Sequence, residues 1–352
     1  MRPKIIKKEA FLIAGVAGSG DETGKVWETY MNLEKVSPLK NQVGEVGYEI
    51  RMHPDEGPGK IFVGVQVKDA SFPKEYQVFY LPAATYAEFE IFPAKGYESS
   101  NGVMSKWLED NATTYKPAIL DGMHYGVEVY DKRFKGNDNP ESVVGFWEPI
   151  VPVSREFNPA QFILGPLSEI CGRIEEFAGA DIGKKVTEGK DEMLASKDPV
   201  KGSLWMKKTI DRLDASTTPE KCKQIMTACG KSCNAHNHKD SDELKQMRDF
   251  CATEEEFLET FIEPPGNGAY TERKGNLIIQ RYTPRKYKKG LRCYCSLINS
   301  LPKDVNASPT YCQCSRAFVQ AHWEAVLGRP LKVELGKTAI TGSDECEFII
   351  HL

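Results

Sequence analysis

A carboxylate and a phenol share one face of a predicted strand at residues 126–134, GVEVYDKRF. Strand alternation puts Val127 and Val129 on one face and Glu128 and Tyr130 on the other. Carboxylates are uncommon in strands and cost free energy when they are buried without a partner. The polar face therefore either meets solvent, with Glu128 purely structural, or lines a ligand site. A carboxylate among aromatic rings attracts an organic cation, and with a raised pKa it could act as a general base.

The element that carries Glu128 occurs twice in the first half of the chain. Aligning GYEIRM at 47–52 with GVEVYD at 126–131 makes Glu49 the counterpart of Glu128. Each copy reads as strand, helix, strand, strand, and residues 76–81 add an extended segment. The predicted elements are strands 11–16, 46–52 and 60–67 with a helix at 26–35, and strands 85–91, 125–134 and 143–151 with a helix at 102–111.

The same alternation assigns faces to the neighbouring strands. We expect Tyr48, Ile50 and Met52 to face the helix, which leaves the carboxylates of both copies on the open faces of two sheets. A cleft would then form where the copies meet. Along 86–91 the core set is Ala87, Phe89 and Ile91, and Trp147 is a further aromatic candidate. The candidate ligand-binding residues are Glu128, Tyr130, Glu88, Glu90, Tyr86, Trp147 and Glu49.

Composition excludes some classes of function. A net charge of -4 argues against a protein that tracks nucleic-acid phosphates, and the lack of an 18-residue apolar run argues against a membrane span. The basic start followed by FLIAGVAG mimics a signal peptide, but it reads better as a strand and its turn. All ten cysteines lie at or beyond Cys171. This distribution favours a reducing, cytoplasmic compartment over a secreted disulfide scaffold.

Several cysteines of the second half fall on one predicted helix. Residues 154–203 read as a linker running into a helix and then a charged, mobile loop or frayed helix. Thr218 then caps a helix that carries Cys222, Cys229 and Cys233 on one face. Spacing alone leaves two interpretations open. The face is either a sulfur-rich core stripe or a set of metal ligands.

Two C-x-C pairs follow, in LRCYCSLIN and TYCQCSRAF. If both segments are extended, each pair points to one face and the four sulfurs converge when the segments lie side by side. The predicted metal ligands are therefore Cys293, Cys295, Cys312 and Cys314, with Cys229 and Cys233. Thiolates suit zinc or an iron–sulfur cluster, whereas burial of neutral thiols is the alternative.

The first half resembles the GyrI-like, or AraC-type, effector-binding domain over residues 9–153. The resemblance is carried by YQVFYLPAATYAEFEIF, MSKWL, YGVEVYDKRF and VVGFWEPIVPV. It implies a tandem of two strand–helix–strand–strand modules around a pocket for bulky, often cationic, aromatic compounds. Its pocket glutamate carries over to Glu128, with Tyr130 on the same face. Regulators of this family carry a DNA-binding motif ahead of the domain. Only about ten residues precede the first strand here, so we expect no nucleic-acid partner.

The end of the chain, HWEAVLGRPLKVELGKTAITGSDECEFIIHL, resembles that of 4-vinyl reductase-type domains. The whole second half resembles proteins similar to L-2-amino-thiazoline-4-carboxylate hydrolase. The closing motif shares Cys346. The resemblance implies hydrolysis of an amidine ring, but it assigns no catalytic residue.

These observations predict an α+β protein of two domains, 1–153 and 154–352. The first is a tandem of two β-α-β-β modules, and the second combines helices with an antiparallel sheet. The predicted function is binding or sensing of a small molecule, next to a thiol-rich domain that is a candidate for metal binding. The alternatives are a hydrolase or metal-dependent enzyme acting on a small heterocyclic substrate, and an adaptor without chemistry. The sequence does not indicate an oligomeric state.

Overall fold

The chain divides into two compact units. The computed structural model describes residues 3–54, 57–153, 159–196, 198–262, 269–284 and 290–352. The first unit comprises Met1–Arg155 and Asp249–Thr260, and the second comprises Glu156–Arg248 and Phe261–Leu352. The predicted domain border between residues 153 and 154 falls at the edge of a segment outside the described residues.

One antiparallel sheet organises the first unit. Its main strands follow the order β1-β6-β10-β9-β3-β4-β2-β5, and two short strands, β7 and β8, pair with β10 and β9. The strands are β1 (Lys4–Lys8), β2 (Phe11–Ser19), β3 (Gln42–His53), β4 (Lys60–Val67), β5 (Gln77–Leu81), β6 (Ala84–Ile91), β7 (Tyr115–Pro117), β8 (Ile119–Leu120), β9 (Met123–Tyr130) and β10 (Val144–Pro152). Helices α1 (Thr23–Val36) and α2 (Tyr97–Asp110) complete the unit.

The predicted internal repeat is present. The first copy is β2-α1-β3-β4 and the second is β6-α2-β9-β10, so the predicted fold class is confirmed. The expectation of two facing sheets is wrong, because the copies join edge to edge through the antiparallel pair β3–β9. In this register Glu49 lies directly opposite Glu128.

One face of the sheet encloses an aromatic and aliphatic core. Only residues 82 and 83 connect β5, at one edge, to β6, next to the other edge, so the sheet must curve around this core. The core takes buried side chains from β2, β3, β4, β5, β6, β9 and β10, with Ile50 and Val127 fully buried at its centre. Removing such side chains from water is the main stabilising contribution to the sheet.

The helices cover the opposite face. Met104 of α2 packs with Ala87, Phe89 and Ile150, and Trp27 of α1 reaches Glu49. Tyr48 and Ile50 therefore do not face the helix, as we expected from the sequence, but lie in the strand-lined core. Successive side chains of β3 point alternately to the two faces of the sheet, and this pattern does not show which face the helices cover.

A short segment from the second half of the sequence belongs to the first unit. Phe250 accepts a backbone hydrogen bond from Ala70 (N···O 3.2 Å), and its ring lies 6.5 Å from that of Tyr80. Helix α9 (Glu254–Phe261) follows, and Thr253 caps its start. Glu256 N donates to Thr253 Oγ1 at 3.0 Å.

Helices dominate the second unit. They are α3 (Pro159–Ala178), α4 (Ala180–Val186), α5 (Lys190–Ala195), α6 (Pro199–Ser216), α7 (Pro219–His236), α8 (Lys239–Asp249) and α10 (Cys312–Leu327). Much of 181–203, expected to be a loop or frayed helix, is helical. Burial of Val186 and capping of α6 by Asp198 (Val200 N to Oδ1, 2.9 Å) account for this order in a charged sequence.

A four-stranded antiparallel sheet completes the second unit, in the order β11-β12-β14-β13. Its strands are β11 (Ala269–Lys274), β12 (Leu277–Tyr282), β13 (Lys332–Leu335) and β14 (Cys346–His351). The prediction that both C-x-C segments are extended is wrong. Cys312 and Cys314 lie in the first turn of α10, and residues 291–301 form a loop. Across the described part of the chain, no helix is long and apolar enough to cross a membrane.

Candidate functional site

Two buried glutamates face each other at the centre of the first unit. Glu49 on β3 is fully buried and Glu128 on β9 is 4% exposed. They are cross-strand partners on the face that the helices cover. Like charges directly opposite each other destabilise a sheet, and buried carboxylates without partners cost still more. The pair therefore needs compensation from the groups around it.

Arg51 supplies the positive charge between the two glutamates. It lies two residues beyond Glu49 on β3, so its side chain starts from the same face of the strand. Its Nη2 lies 2.5 Å from Glu49 Oε1, and its Nε lies 3.4 Å from Glu128 Oε1. The Glu49 contact is an ion pair rather than an aligned hydrogen bond. One guanidinium thus contacts both carboxylates.

Aromatic side chains supply the remaining contacts. Trp27 Nε1 donates to Glu49 Oε2 at 2.5 Å, and Tyr130 Oη donates to Glu128 Oε2 at 2.7 Å. The Trp27 and Tyr130 rings are 5.0 Å apart and meet edge to face. Tyr97, at the start of α2, hydrogen-bonds to Tyr130 and extends the network. The glutamates are thus enclosed by rings from both copies of the repeat.

Glycines leave room for these rings. A Cβ on Gly47 would lie 3.4 Å from the Trp27 ring, and a Cβ on Gly126 would lie 2.5 Å from the Phe146 ring. The two glycines occupy equivalent positions in the two copies. A larger residue at position 126 would displace the ring that covers the strand beside Glu128.

The surroundings raise the pKa of Glu128 to about 7. Burial is the largest cause and repulsion by Glu49 the second, while the Tyr130 hydrogen bond and Arg51 act in the opposite direction. Near neutral pH the site therefore exchanges a proton readily. Burial followed by repulsion from Glu128 raises the pKa of Tyr130, which keeps its phenol a hydrogen-bond donor.

Four of the predicted ligand-binding residues lie elsewhere. Trp147 is the cross-strand partner of both Val127 and Glu88, so these side chains lie on the opposite face of the sheet from Glu128. Tyr86 is fully buried in the strand-lined core with Trp147. Glu90 is exposed and pairs with Arg133 at 3.2 Å. The sequence prediction went wrong because it gave β6 the same polar face as β9.

The sequence prediction missed several residues of this face. Arg51, Trp27 and Tyr97 contact or border the glutamates, and Phe146 is the cross-strand partner of Glu128. Arg51 was detectable, because it shares a strand face with Glu49. Trp27 and Tyr97 were not, because they come from helices whose placement the sequence did not show. Glu148 lies two residues beyond Phe146, and burial raises its pKa to about 7.

The second unit brings several of its nine free thiols together. Cys293 and Cys295 on the 291–301 loop lie near Cys314 on α10, and Cys229 and Cys233 of α7 are close to Cys314. Burial raises the pKa of each of these five thiols, and repulsion from neighbouring thiols raises it further at all of them except Cys295. We call these five residues the thiol cluster. Cys233 reaches solvent, although its thiol is partly desolvated.

The surrounding structure holds the thiol cluster in place. Tyr311 Oη lies 3.1 Å from Cys295 Sγ. The fully buried Arg292 anchors the loop, donating to the carbonyls of Pro302 (2.7 Å) and Ala339 (2.8 Å). A Cβ on Gly230 would lie 2.2 Å from the Cys314 carbonyl oxygen, so α7 and α10 touch there.

The metal site expected from the sequence is not shown in the part of the chain that the structure describes. No three Cys, His, Asp or Glu side chains there are arranged to hold a metal ion. Cys312, a predicted ligand, is separated from Cys314 because residues two apart on a helix point in different directions. It lies near Cys346 instead.

Comparisons with known proteins assign the first unit. Residues 4–150 match the Cass2 family of integron-associated effector-binding proteins. The transcriptional regulator BrlR of Pseudomonas aeruginosa is 28% identical over 160 residues, which covers 43% of this chain and 56% of BrlR. The chain therefore spans just over half of that relative. The first unit is therefore similar to effector-binding proteins, in agreement with the GyrI-like resemblance of its sequence. Since BrlR is a transcriptional regulator, the expectation of no nucleic-acid partner stays untested.

Solved structures match the same region. SAV2435 bound to tetraphenylphosphonium is 13% identical with a TM-score of 0.34, covering 43% of this chain and 94% of that chain. The integron cassette protein VCH_CASS2 of Vibrio cholerae is 14% identical with a TM-score of 0.26, covering 43% and 97%.

The second half of the chain matches a different family. The comparisons give no support to its resemblance to the thiazoline-carboxylate hydrolase or the vinyl reductase. Residues 167–352, just over half of the chain, match the model of a family of unknown function, and the protein belongs to that family, DUF6144.

Proposed function

We propose that the first unit binds a small organic cation with aromatic surface at Glu49 and Glu128. The observation that carries this proposal is the pair of buried carboxylates, directly opposite each other, with a single guanidinium between them. Two negative groups and one positive group leave room for a second positive charge. Such an arrangement costs folding free energy, and it is typical of functional sites.

The rings around the glutamates suit the rest of such a ligand. Trp27, Tyr130 and Tyr97 offer flat apolar surfaces for stacking and for cation–π contact. Desolvated carboxylates attract a cation more strongly than exposed ones, because less water screens the charge. The site therefore favours ligands that combine charge with aromatic area.

Calorimetric titration with tetraphenylphosphonium at pH 8, where Glu128 is ionised, tests the proposal. We expect saturable binding that weakens about tenfold or more in Glu128→Gln and in Glu49→Gln. The matched control is Glu141→Gln, which removes an exposed carboxylate paired with Lys135 in the same unit. Equal affinity in Glu128→Gln and the wild type would show that the site lies elsewhere.

Hydrolysis with Glu128 as the base is a second candidate function. It is favoured by the pKa of about 7, which suits a general base near neutral pH. Mass spectrometry of the compound recovered after incubation separates the two functions. Unchanged ligand supports binding alone, whereas a hydrolysed product that is lost with Glu128→Gln supports catalysis.

Metal binding by the second unit stays a prediction. The closeness of five thiols supports it, whereas no chelating arrangement is present among the described residues. Titration with cobalt(II) tests it, because thiolate ligands give cobalt intense near-ultraviolet absorption. Loss of that absorption in Cys314→Ser but not in Cys171→Ser would place a metal at the thiol cluster. If cobalt(II) gives no such absorption with the wild type, the prediction of a metal site is wrong.

A further inference from the structure

We infer that Arg51 occupies the position of a ligand's positive centre and competes with cationic ligands for Glu49 and Glu128 from within the chain. This inference rests on the proposed function, because it concerns the same two carboxylates. It adds a specificity-determining residue and a class of cation.

The contacts of Arg51 are those of a bound cation. Its guanidinium touches Glu49 Oε1 with one nitrogen and approaches Glu128 Oε1 with another. Nη2 also donates to Thr23 Oγ1, at 3.2 Å, on the first turn of α1. The guanidinium thus contacts three elements that line the site. A ligand cation bound to both carboxylates would need the same space.

Arg51 is more accessible to solvent than the two carboxylates that it contacts. Its side chain is 31% exposed, whereas those of Glu49 and Glu128 are 1% and 5% exposed. Among these three charged groups the guanidinium is the most accessible, and it can leave by rotating its own side chain. A cation that enters then replaces an internal ion pair with an external one.

The acceptor geometry selects the class of cation. Carboxylate oxygens accept hydrogen bonds, and a planar guanidinium donates several in a fixed fork. A quaternary ammonium or phosphonium ion has no N–H, so it would displace Arg51 without replacing its contacts. The site therefore requires N–H donors for the carboxylates and an aromatic surface for Trp27 and Tyr130. Aromatic guanidines and amidines provide both, because each combines a planar N–H-donating cation with a ring.

Competition from within the chain lowers apparent affinity without changing the ligand's own contacts. A ligand that binds only when Arg51 has moved away is weakened by the fraction of molecules in that state. Removing the guanidinium should therefore strengthen binding. This outcome is opposite to the usual effect of deleting a polar group from a binding site.

The test compares Arg51→Ala with the wild type by calorimetry at pH 8, using phenylguanidinium and tetraphenylphosphonium as probes. We expect phenylguanidinium to bind Arg51→Ala at least about tenfold more tightly than the wild type, with a smaller gain for tetraphenylphosphonium. The matched control is Arg133→Ala. It removes a guanidinium of similar exposure that pairs with Asp131 and Glu90, and it should leave both affinities unchanged.

Other outcomes overturn the inference. If Arg51→Ala binds phenylguanidinium no more tightly than the wild type does, Arg51 does not compete. The proposed function still stands in that case if the wild type binds tetraphenylphosphonium and Glu128→Gln weakens it. If neither protein binds either cation, the proposed function fails as well. If Arg133→Ala gains as much affinity for phenylguanidinium as Arg51→Ala does, the gain comes from the change in net charge and the inference is wrong.

Arg51→Ala leaves two buried carboxylates without a counter-charge and could lower stability, so a second measurement follows the melting temperature. Millimolar methylguanidinium should raise the melting temperature of Arg51→Ala by more than the same concentration of tetramethylammonium does. In the wild type the two salts should give the same melting temperature. If Arg51→Ala does not fold, Arg51→Lys is used in its place, because it keeps the charge but loses the planar fork. Equal responses to the two salts would contradict the inference.

Discussion

The two units each gather like titratable groups in a buried place, but they stabilise them differently. In the first unit, Glu49 and Glu128 share one guanidinium and accept hydrogen bonds from Trp27 and Tyr130. In the second, the thiol cluster holds neutral groups whose raised pKa values make a counter-charge unnecessary. Buried charge requires specific partners, whereas buried thiols can pack as small apolar groups.

The difference identifies the first unit as the better-supported site. Burying two carboxylates that need Arg51 costs folding free energy, and the packing of the core does not explain why the chain keeps them. The thiol cluster has no such cost in its neutral form, so its role depends on what happens when thiols ionise. Three measurements test this contrast.

The largest effect is expected at the contact between α7 and α10. Gly230→Ala would place a Cβ 2.2 Å from the Cys314 carbonyl oxygen, which forces the two helices apart. We expect a loss of about 3 kcal/mol in unfolding free energy, measured by urea denaturation. Gly172→Ala on α3, where a Cβ meets nothing within 4 Å, should instead gain up to about 1 kcal/mol. Equal effects would mean that the helices are not in close contact.

The second effect concerns pH and the carboxylate pair. Because the pKa of Glu128 is raised from 4.5 to about 7, the folded protein holds this proton more tightly than the unfolded chain. Unfolding free energy is therefore greatest below about pH 4.5 and falls as pH rises through 7, by on the order of 3 kcal/mol for this group. Urea titrations in Glu128→Gln should show a smaller fall.

Glu148 contributes to the same pH window, since burial raises its pKa to about 7 as well. The double variant Glu128→Gln, Glu148→Gln should therefore flatten the profile further than either change alone. Glu141→Gln serves as control because Lys135 lowers the pKa of this exposed carboxylate. If unfolding free energy depends on pH equally in Glu128→Gln and the wild type, Glu128 stays ionised across this range and its partners fully stabilise the charge.

The smallest effect concerns thiol chemistry. At pH 8 the exposed Cys233 should react with a disulfide reagent at least about tenfold faster than the buried members of the cluster, because each unit of raised pKa lowers the thiolate fraction tenfold. Cys233→Ser should abolish the fast phase, and Cys171→Ser should leave it intact. Fast reaction of Cys293 or Cys314 would show that the cluster carries activated thiols, and the contrast with the carboxylates would fail.

Strand alternation and the internal repeat predicted much of the first unit. The GYEIRM and GVEVYD segments gave both glutamates, the shared face of Glu128 and Tyr130, and the element order. They did not give the side of the sheet that the helices cover, because each strand alternates equally well for either face. Tyr86 and Glu88 were assigned to the wrong face for that reason.

The second unit was harder to predict because local patterns there are ambiguous. The alternating segment YCQCSRAF suits a strand, yet it begins a helix whose buried Cys312, Val319 and Trp323 lie along one side. Tertiary packing decides between the two periods in such short segments. All five members of the thiol cluster were among the predicted metal ligands, whereas the loop held by Arg292 had no sequence signal.

The pairing of β3 with β9 has a consequence for folding. Glu49 and Glu128 lie far apart in the sequence, with β4, β5, β6 and α2 between them, and they meet only when the two copies of the repeat have joined. Contacts between distant residues form late, because closing the intervening chain costs entropy first. A ligand of this site would bind only the fully assembled sheet, so it would stabilise the native state by mass action. Added during refolding, such a ligand would raise the yield without speeding the earlier steps.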